Sequence, residues 1–361
     1  MIEPDPAASR RRRPRYRGTH PRRFAEKYKE LTPEAHPETV ARVRDRGQTP
    51  AGQHVPVMEV EVLAALRPRP GERGVDATLG WGGHARRLLE AIRPGGCLLA
   101  LDADPVELPK SETRLRALGF AEAELRVLRT NFARLREALD EADWHAGVDF
   151  VFADLGVSSM QLDDPARGFG VKSDGPLDMR MNPRRGSPAS KWLAQASAAR
   201  IERVLREHAD EPEAALLARA LHARRETFTT AGALAAAVRG SLRGLYGEAA
   251  AEQSVRRVFQ ALRIEINDEF GTLDLLLRQI PGCLRPGGRV VFLSFHSGED
   301  RRVKKCFVQG LRAGLFSAVA SEPARASAAE RRANPRSAPA KLRWAVRADA
   351  PRASLSATIQ P

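Results

Sequence analysis

The chain has 361 residues, 42% hydrophobic and 6% aromatic, enough to bury one sizeable core and a second small one. Lysine and arginine number 59 against 45 acids, a formal charge of +14 that favours a polyanionic partner, nucleic acid first, because each neutralised phosphate releases condensed counterions. Cys97, Cys283 and Cys306 are too far apart for a disulfide framework or a cysteine metal site, and no apolar run reaches the ~18 to 20 residues of a membrane helix, so a cytoplasmic protein with neither membrane nor metal partner is expected.

Residues 1–53 carry eight arginines between Arg10 and Arg23, with no acid among them and several prolines after them, which predicts a largely non-globular basic extension. It reads equally as an arm for RNA phosphates or as a solvated tail, with a possible short helix over 24–31. From His54 the apolar positions recur every three or four residues and predict a helix. Strands are expected at 74–76, 98–102, 125–128 and 150–154, with helical patterns between them, notably 84–92 and 131–140. That alternation implies a parallel sheet covered on both faces. It stops after Leu155. Residues 165–264 are rich in alanine, arginine and glutamate, with helical stretches at 189–207 and 213–225, and predict an all-helical domain inserted into the sheet domain formed by 54–164 and 265–348. A helix at 268–279, a turn at 284–288 and a strand at 289–295 follow; 315–320 and 341–347 could complete the sheet as an antiparallel hairpin before a tail at 349–361.

The segment V-D-A-T-L-G-W-G-G-H-A places glycines directly after a strand, and Asp102 ends the next strand 26 positions after Asp76. This is the layout of a site for an adenosine-bearing cofactor, with glycines for close backbone approach and a carboxylate for the ribose hydroxyls. A nicotinamide-dependent oxidoreductase fits the same glycines. Asp154 closes the fourth strand in D-L-G-V-S-S-M-Q-L-D and reaches the same rim, where Asp154, Ser158, Ser159 and Gln161 would gather polar groups at the cofactor's reactive end. The alternative is that these residues merely cap a helix.

H-V-P-V-M at 54, D-A-T-L-G-W-G-G-H at 76, D-L-G-V-S-S-M-Q-L-D at 154, D-G-P-L-D-M-R-M at 174, V-F-Q-A-L-R-I-E-I-N at 258, S-F-H-S-G-E-D-R at 294 and N-P-R-S at 334 together resemble the bacterial 16S ribosomal RNA cytosine-N4 methyltransferases of the MraW type. The resemblance implies a class I S-adenosylmethionine-dependent methyltransferase fold, α/β and Rossmann-like, with a mostly parallel seven-stranded sheet and a helical insertion for substrate recognition. It implies S-adenosyl-L-methionine held by Gly82, Gly83, His84, Asp102, Phe132, Asp154 and Gln161, with Phe132 on the adenine. The implied substrate is a specific cytidine in the decoding region of small-subunit RNA, free or in the assembled 30S subunit.

Asp154 is the leading acceptor for the N4 proton, with Ser158 and Ser159 as alternatives, and no covalent intermediate is expected because N4 is itself nucleophilic and no cysteine lies in this loop. Arg167, Asp178 and Arg180 are expected on the RNA side of the pocket, with phosphate contacts from the two arginines. His296 is either a proton shuttle there or a structural histidine bonded to Glu299 or Asp300. The sequence departs from the family at Trp81, Ala85 and Gly298. Two other functions stay open: a non-catalytic RNA-binding assembly factor and the oxidoreductase. So does the choice between monomer and homodimer.

Overall fold

A computed structural model describes residues 56–171 and 174–349, and of Ser159 and Asp163 the backbone alone. The basic extension with its expected helix, His54 and the tail from 350 lie outside the described residues. Helix α1 (Glu59–Leu66) precedes strand β1 (Arg73–Asp76), and α2 (Gly83–Ile92), β2 (Cys97–Asp102), α3 (Leu108–Ala117), β3 (Leu125–Arg129), α4 (Leu135–Glu141) and β4 (Val148–Asp154) then alternate. A short helix, α5 (Ser159–Asp163), leads to α6 (Ala189–Gln195), α7 (Ala198–Ala209), α8 (Ala214–Ala223) and α9 (Ala231–Asn267). The chain returns to the sheet through α10 (Glu269–Cys283), β5 (Leu284–Ser294), α11 (Ser297–Arg312), β6 (Phe316–Val319), β7 (Ala324–Arg325), α12 (Ala328–Ala333) and β8 (Lys341–Arg347).

The strands form one sheet in the order β3-β2-β1-β4-β5-β8-β6, with β7 paired only to β8. Neighbours from β3 to β5 run parallel, and β8 is antiparallel to both β5 and β6. This is the Rossmann-like class I methyltransferase arrangement that the resemblance implied. Its strand order reverses between β1 and β4, and in an open parallel sheet the ligand crevice lies outside the carboxyl ends at such a point.

The alternation of side chains decides which face each residue covers. Leu98 and Ala100 of β2 with Phe150 and Phe152 of β4 pack against α1, α2 and α3. Leu99, Leu101, Val151 and Ala153 point the other way, onto α4, α10 and α11. The helices between β4 and β5 bury a separate apolar core that includes Ile201, Leu205, Leu217, Leu234, Val258 and Phe259. Within α9 the backbone leaves helical geometry at Gly247, φ 82°. Arg239 pairs with Glu252 across that break, and a straight helix would hold residues thirteen apart roughly 20 Å from each other, so the two segments fold back on themselves.

Several sequence expectations are corrected. The predicted helix at 189–207 is two, because Ser197 turns out of helical geometry and its hydroxyl caps α7 by accepting the Arg200 N–H. The segment at 284–288 enters β5, with a register shift opposite Val148 and Phe150. Strands β6 and β8 pair without forming a hairpin, since β7 and α12 intervene.

Gly74 lies opposite Phe150 in the β1–β4 register, and a Cβ there would sit 2.0 Å from Phe150 Cζ. Gly74→Ala is therefore expected to destabilise the protein by about 1 to 3 kcal/mol in denaturant titration, and Phe150→Leu in the same chain to recover part of that loss. Equal stability of Gly74→Ala and the parent would contradict this packing.

Candidate active site

Three strand ends bring three carboxylates to one crevice. Asp76 at the end of β1 accepts the Thr78 N–H through Oδ1 at 3.0 Å, and Thr78 Oγ1 in turn accepts the Asp154 N–H at 2.7 Å, which ties the ends of β1 and β4 together. Asp102 accepts the Gly80 N–H through Oδ2 at 2.9 Å and the Asp104 N–H through Oδ1 at 2.8 Å. It thereby shapes the glycine loop, and each of its oxygens keeps a lone pair. Gly80 and Gly82 take φ of 48° and 87°, a backbone that L side chains rarely adopt, and Gly82 turns the chain into the first turn of α2. Gly83 and His84 occupy that turn, whose N–H groups favour an anion.

Asp76 is buried and Asp102 and Asp154 are half-buried, and among the described residues none of the three has a cationic side chain paired with it. Burial pushes Asp76 up to about 7, with the charge of Asp102 adding to the effect. Burial, then the charges of Asp76 and Glu299, push Asp154 up to about 8. Burial also raises Asp102. Asp76 Oδ2 and Asp154 Oδ1 are buried with no hydrogen-bond partner among the described residues. Two orphaned acceptors in one crevice suit a ligand that carries positive charge, and the lone pairs of Asp102 suit a diol. Phe132, in the short turn after β3, is only partly buried and leaves ring surface available. These residues fit S-adenosyl-L-methionine, whose sulfonium, ammonium, carboxylate, ribose and adenine each find a matching group.

His84 is held neutral. Burial lowers it to about 4, its Nε2 lies 3.0 Å from the Val57 carbonyl, and its Nδ1 is 3.6 Å from Asp154 Oδ2. Nε2–H donates to Val57, so the Nδ1 lone pair faces Asp154. Ser158 is the N-cap of α5: its hydroxyl accepts the Gln161 N–H at 3.3 Å while Gln161 Oε1 accepts the Ser158 N–H at 2.9 Å, a reciprocal capping box. The side chain of Ser159 lies outside the described residues.

The residues expected on the RNA side are mostly engaged within the protein. Arg167, 8% exposed, donates to Asp104 Oδ2 at 2.8 Å and to the Arg180 and Met181 carbonyls at 3.0 and 2.8 Å, which corrects its expected phosphate contact. Arg180 grips Asp178 with two hydrogen bonds of 2.7 Å and also reaches the Gly186 carbonyl, so neither member of that pair is free. The D-G-P-L-D-M-R-M segment is instead a close-packed support. A Cβ at Gly175 would sit 1.7 Å from the Pro165 carbonyl oxygen, and one at Gly168 2.2 Å from that of Pro176. His296 Nε2 lies 3.0 Å from Glu299 Oε1, within ion-pair distance as expected of a structural histidine, while among the described residues neither ring nitrogen has a partner in hydrogen-bond geometry. Burial alone would raise Glu299, but His296, Arg263 and the Phe295 N–H outweigh it and hold this carboxyl below its usual range.

Two features escaped sequence reasoning. Asp104 is 1% exposed and joins Asp102, Gln161 and Arg167; its signal was the second acid of D-A-D. Arg263, in L-R-I-E-I-N, makes a two-pronged pair with Glu269 at 2.7 and 2.8 Å. Glu269, His296 and Glu299 bring potential ligand atoms within 4.8 Å of one another, but Arg263 already supplies the positive charge there. The departures from the family also find partners. Trp81 stacks on the Arg114 guanidinium at 3.4 Å, and Gly298 is small because a Cβ would lie 2.5 Å from Phe270 Cζ.

Comparison with known proteins identifies the family. The family described as "MraW methylase family" matches residues 51–348. Ribosomal RNA small subunit methyltransferase H 1 of Lachnoclostridium phytofermentans is 43% identical over 344 residues, covering 94% of this chain and 93% of its own length. Ribosomal RNA small subunit methyltransferase H 2 of Alkaliphilus metalliredigens is 43% identical over 345 residues, covering 94% and 98%. Alignments of that extent take in part of the basic extension, of which the family match includes only residues 51–53.

The raised carboxyls have a signed consequence. Folding lifts Asp76 from 3.8 to about 7, so the stability it contributes is present below about pH 4 and is lost as pH climbs toward 7. Asp76→Asn removes that loss. In denaturant titrations of the ligand-free protein at pH 8 the variant is expected to exceed the parent by about 1 to 3 kcal/mol, with the advantage shrinking toward pH 5. A variant less stable than the parent at pH 8 would show that Asp76 carries no such penalty.

Proposed function

The chain belongs to the MraW methylase family, and from that membership we propose that it methylates the exocyclic N4 of a specific cytidine in the decoding region of small-subunit (16S) ribosomal RNA, by direct in-line attack without a covalent enzyme intermediate. The observation that carries this reading is the set of unneutralised buried carboxylates beside the D-L-G-V-S-S-M-Q-L-D loop. S-adenosyl-L-methionine supplies the activated methyl group. The chain's own residues bind, orient and manage the proton.

Asp102 holds the ribose, Phe132 the adenine and the first turn of α2 the carboxylate, while Asp76 and Asp154 meet the positive charge. Gln161 completes the pocket and is held by its hydrogen bond to Asp104 Oδ2 at 2.7 Å. Orientation of this kind can supply on the order of 7 to 11 kcal/mol of the barrier. Asp154 then has a second role. Its basicity follows the charge beside it: it is ionised while a cation is held and returns toward 8 once that charge has gone, so it is ready to accept the N4 proton when the new carbon–nitrogen bond forms. Ser158, whose hydroxyl hydrogen is not used by the cap, is a secondary contact for the base.

A thiol route has no support, because burial pushes Cys283 and Cys306 up to about 11 and about 12, and Cys97 opens β2 at the opposite end of the sheet from the site. The target must be unstacked to enter, which costs least in a non-helical RNA region.

Mass-spectrometric mapping of small-subunit RNA from cells with and without this gene tests the assignment. One N4-methylated cytidine should vanish in the deletion strain; an unchanged cytidine pattern would refute it. With cofactor and RNA saturating, Asp154→Ala should lower kcat by about 10²- to 10⁴-fold, whereas Ser158→Ala should cost less than about tenfold. Full turnover by Asp154→Ala would remove the carboxylate from the chemistry.

A further inference from the structure

A buried ion pair connects the cofactor rim to the root of the helical insertion. Asp104 follows Asp102 by two residues and is fixed from both sides of its own turn. Its N–H donates to Asp102 Oδ1 at 2.8 Å, and its Oδ1 accepts the Val106 N–H at 2.8 Å. The other oxygen, Oδ2, accepts Gln161 Nε2 at 2.7 Å and Arg167 Nη1 at 2.8 Å. Arg167 Nη2 then holds the carbonyls of Arg180 and Met181, the Arg167 carbonyl accepts the Met179 N–H at 3.0 Å, and Asn267 at the end of α9 accepts the Met181 N–H at 2.7 Å. A chain of hydrogen bonds thus runs from the carboxylate assigned to the ribose to the segment from which the inserted helices spring.

Such a pair is a poor device for stability alone, since an apolar replacement of similar volume often serves as well or better, whereas a charge-assisted two-headed guanidinium fixes geometry. We propose that Asp104 is a positioning residue whose pairing with Arg167 couples the two ligands, so that the cofactor and the RNA substrate each tighten binding of the other. The inference rests on the RNA reading above for its second ligand. Coupling of this kind is reciprocal, and its size is the factor by which one ligand changes affinity for the other.

The test uses the full chain, S-adenosylhomocysteine as a non-reacting cofactor probe, and small ribosomal subunits from cells lacking the gene. In the parent, the probe should tighten subunit binding by about tenfold or more. Asp104→Asn keeps the shape and the Val106 contact but removes the charge. Arg167→Lys keeps the charge but cannot span Asp104 and two carbonyls at once. Both variants should bind the probe alone within about threefold of the parent, yet show less than about twofold coupling, with KM for the subunit raised more than kcat is lowered.

A purely structural role would instead lower the melting temperature and probe affinity while leaving the coupling factor intact. Retention of full coupling in a folded variant overturns the proposal, as does a parent that binds and methylates subunits without any coupling. If Asp104→Asn fails to fold, Arg167→Lys decides. A parent that neither binds nor methylates subunits would refute the RNA reading itself, and the inference would fall with it.

Discussion

The structure depends on a set of desolvated carboxylates that the fold itself leaves unneutralised. Asp76 and Asp154 end adjacent parallel strands at the reversal of strand order, and each keeps one buried oxygen without a partner among the described residues. An unpaired buried carboxylate costs several kcal/mol, so the ligand-free protein holds protons on these groups at pH values where the unfolded chain would have released them. A cationic ligand removes that cost. The same arrangement accounts for a cofactor that carries positive charge and for a penalty in stability that grows with pH.

The rest of the molecule serves to hold that crevice. Thr78 joins the ends of β1 and β4, Asp102 sets the glycine loop, and the carbonyl of Val57, just before α1, fixes the tautomer of His84. The helical insertion is not an independent appendage: Arg167 buries its charge against Asp104 and holds the backbone at the insertion's root, while Asn267 returns the last inserted helix to the same segment. The inserted helices and the cofactor rim therefore share one framework.

Much of this was legible in the sequence, because strand periodicity and acids at strand ends are local signals. Asp76, Asp102 and Asp154 could each be placed at the carboxyl rim from the residues around them, and the family resemblance added the cofactor. What was not legible was long-range pairing. Arg167 reads as a free cation in R-G-F, yet its partner Asp104 is 63 residues away in sequence, so its burial follows only from the folded topology. The packing of D-G-P-L-D-M-R-M is hidden for the same reason, since Gly175 is small because Pro165 presses on it from outside the segment. The division of 189–207 into two helices was a local signal passed over, Ser197 being an ordinary N-cap.

The central claim is that this crevice waits for positive charge, and proton-linked calorimetry tests it most directly. S-adenosylmethionine and S-adenosylhomocysteine would be titrated into the protein between about pH 6 and pH 8, in buffers of different ionisation enthalpy. If burial raises Asp76 and Asp154, binding the sulfonium must expel protons, with affinity rising by up to roughly tenfold per pH unit for each group and levelling off only above about pH 8. The homocysteine compound, which lacks the sulfonium charge, should release fewer protons. Proton release that is absent, or identical for the two ligands, would contradict the account.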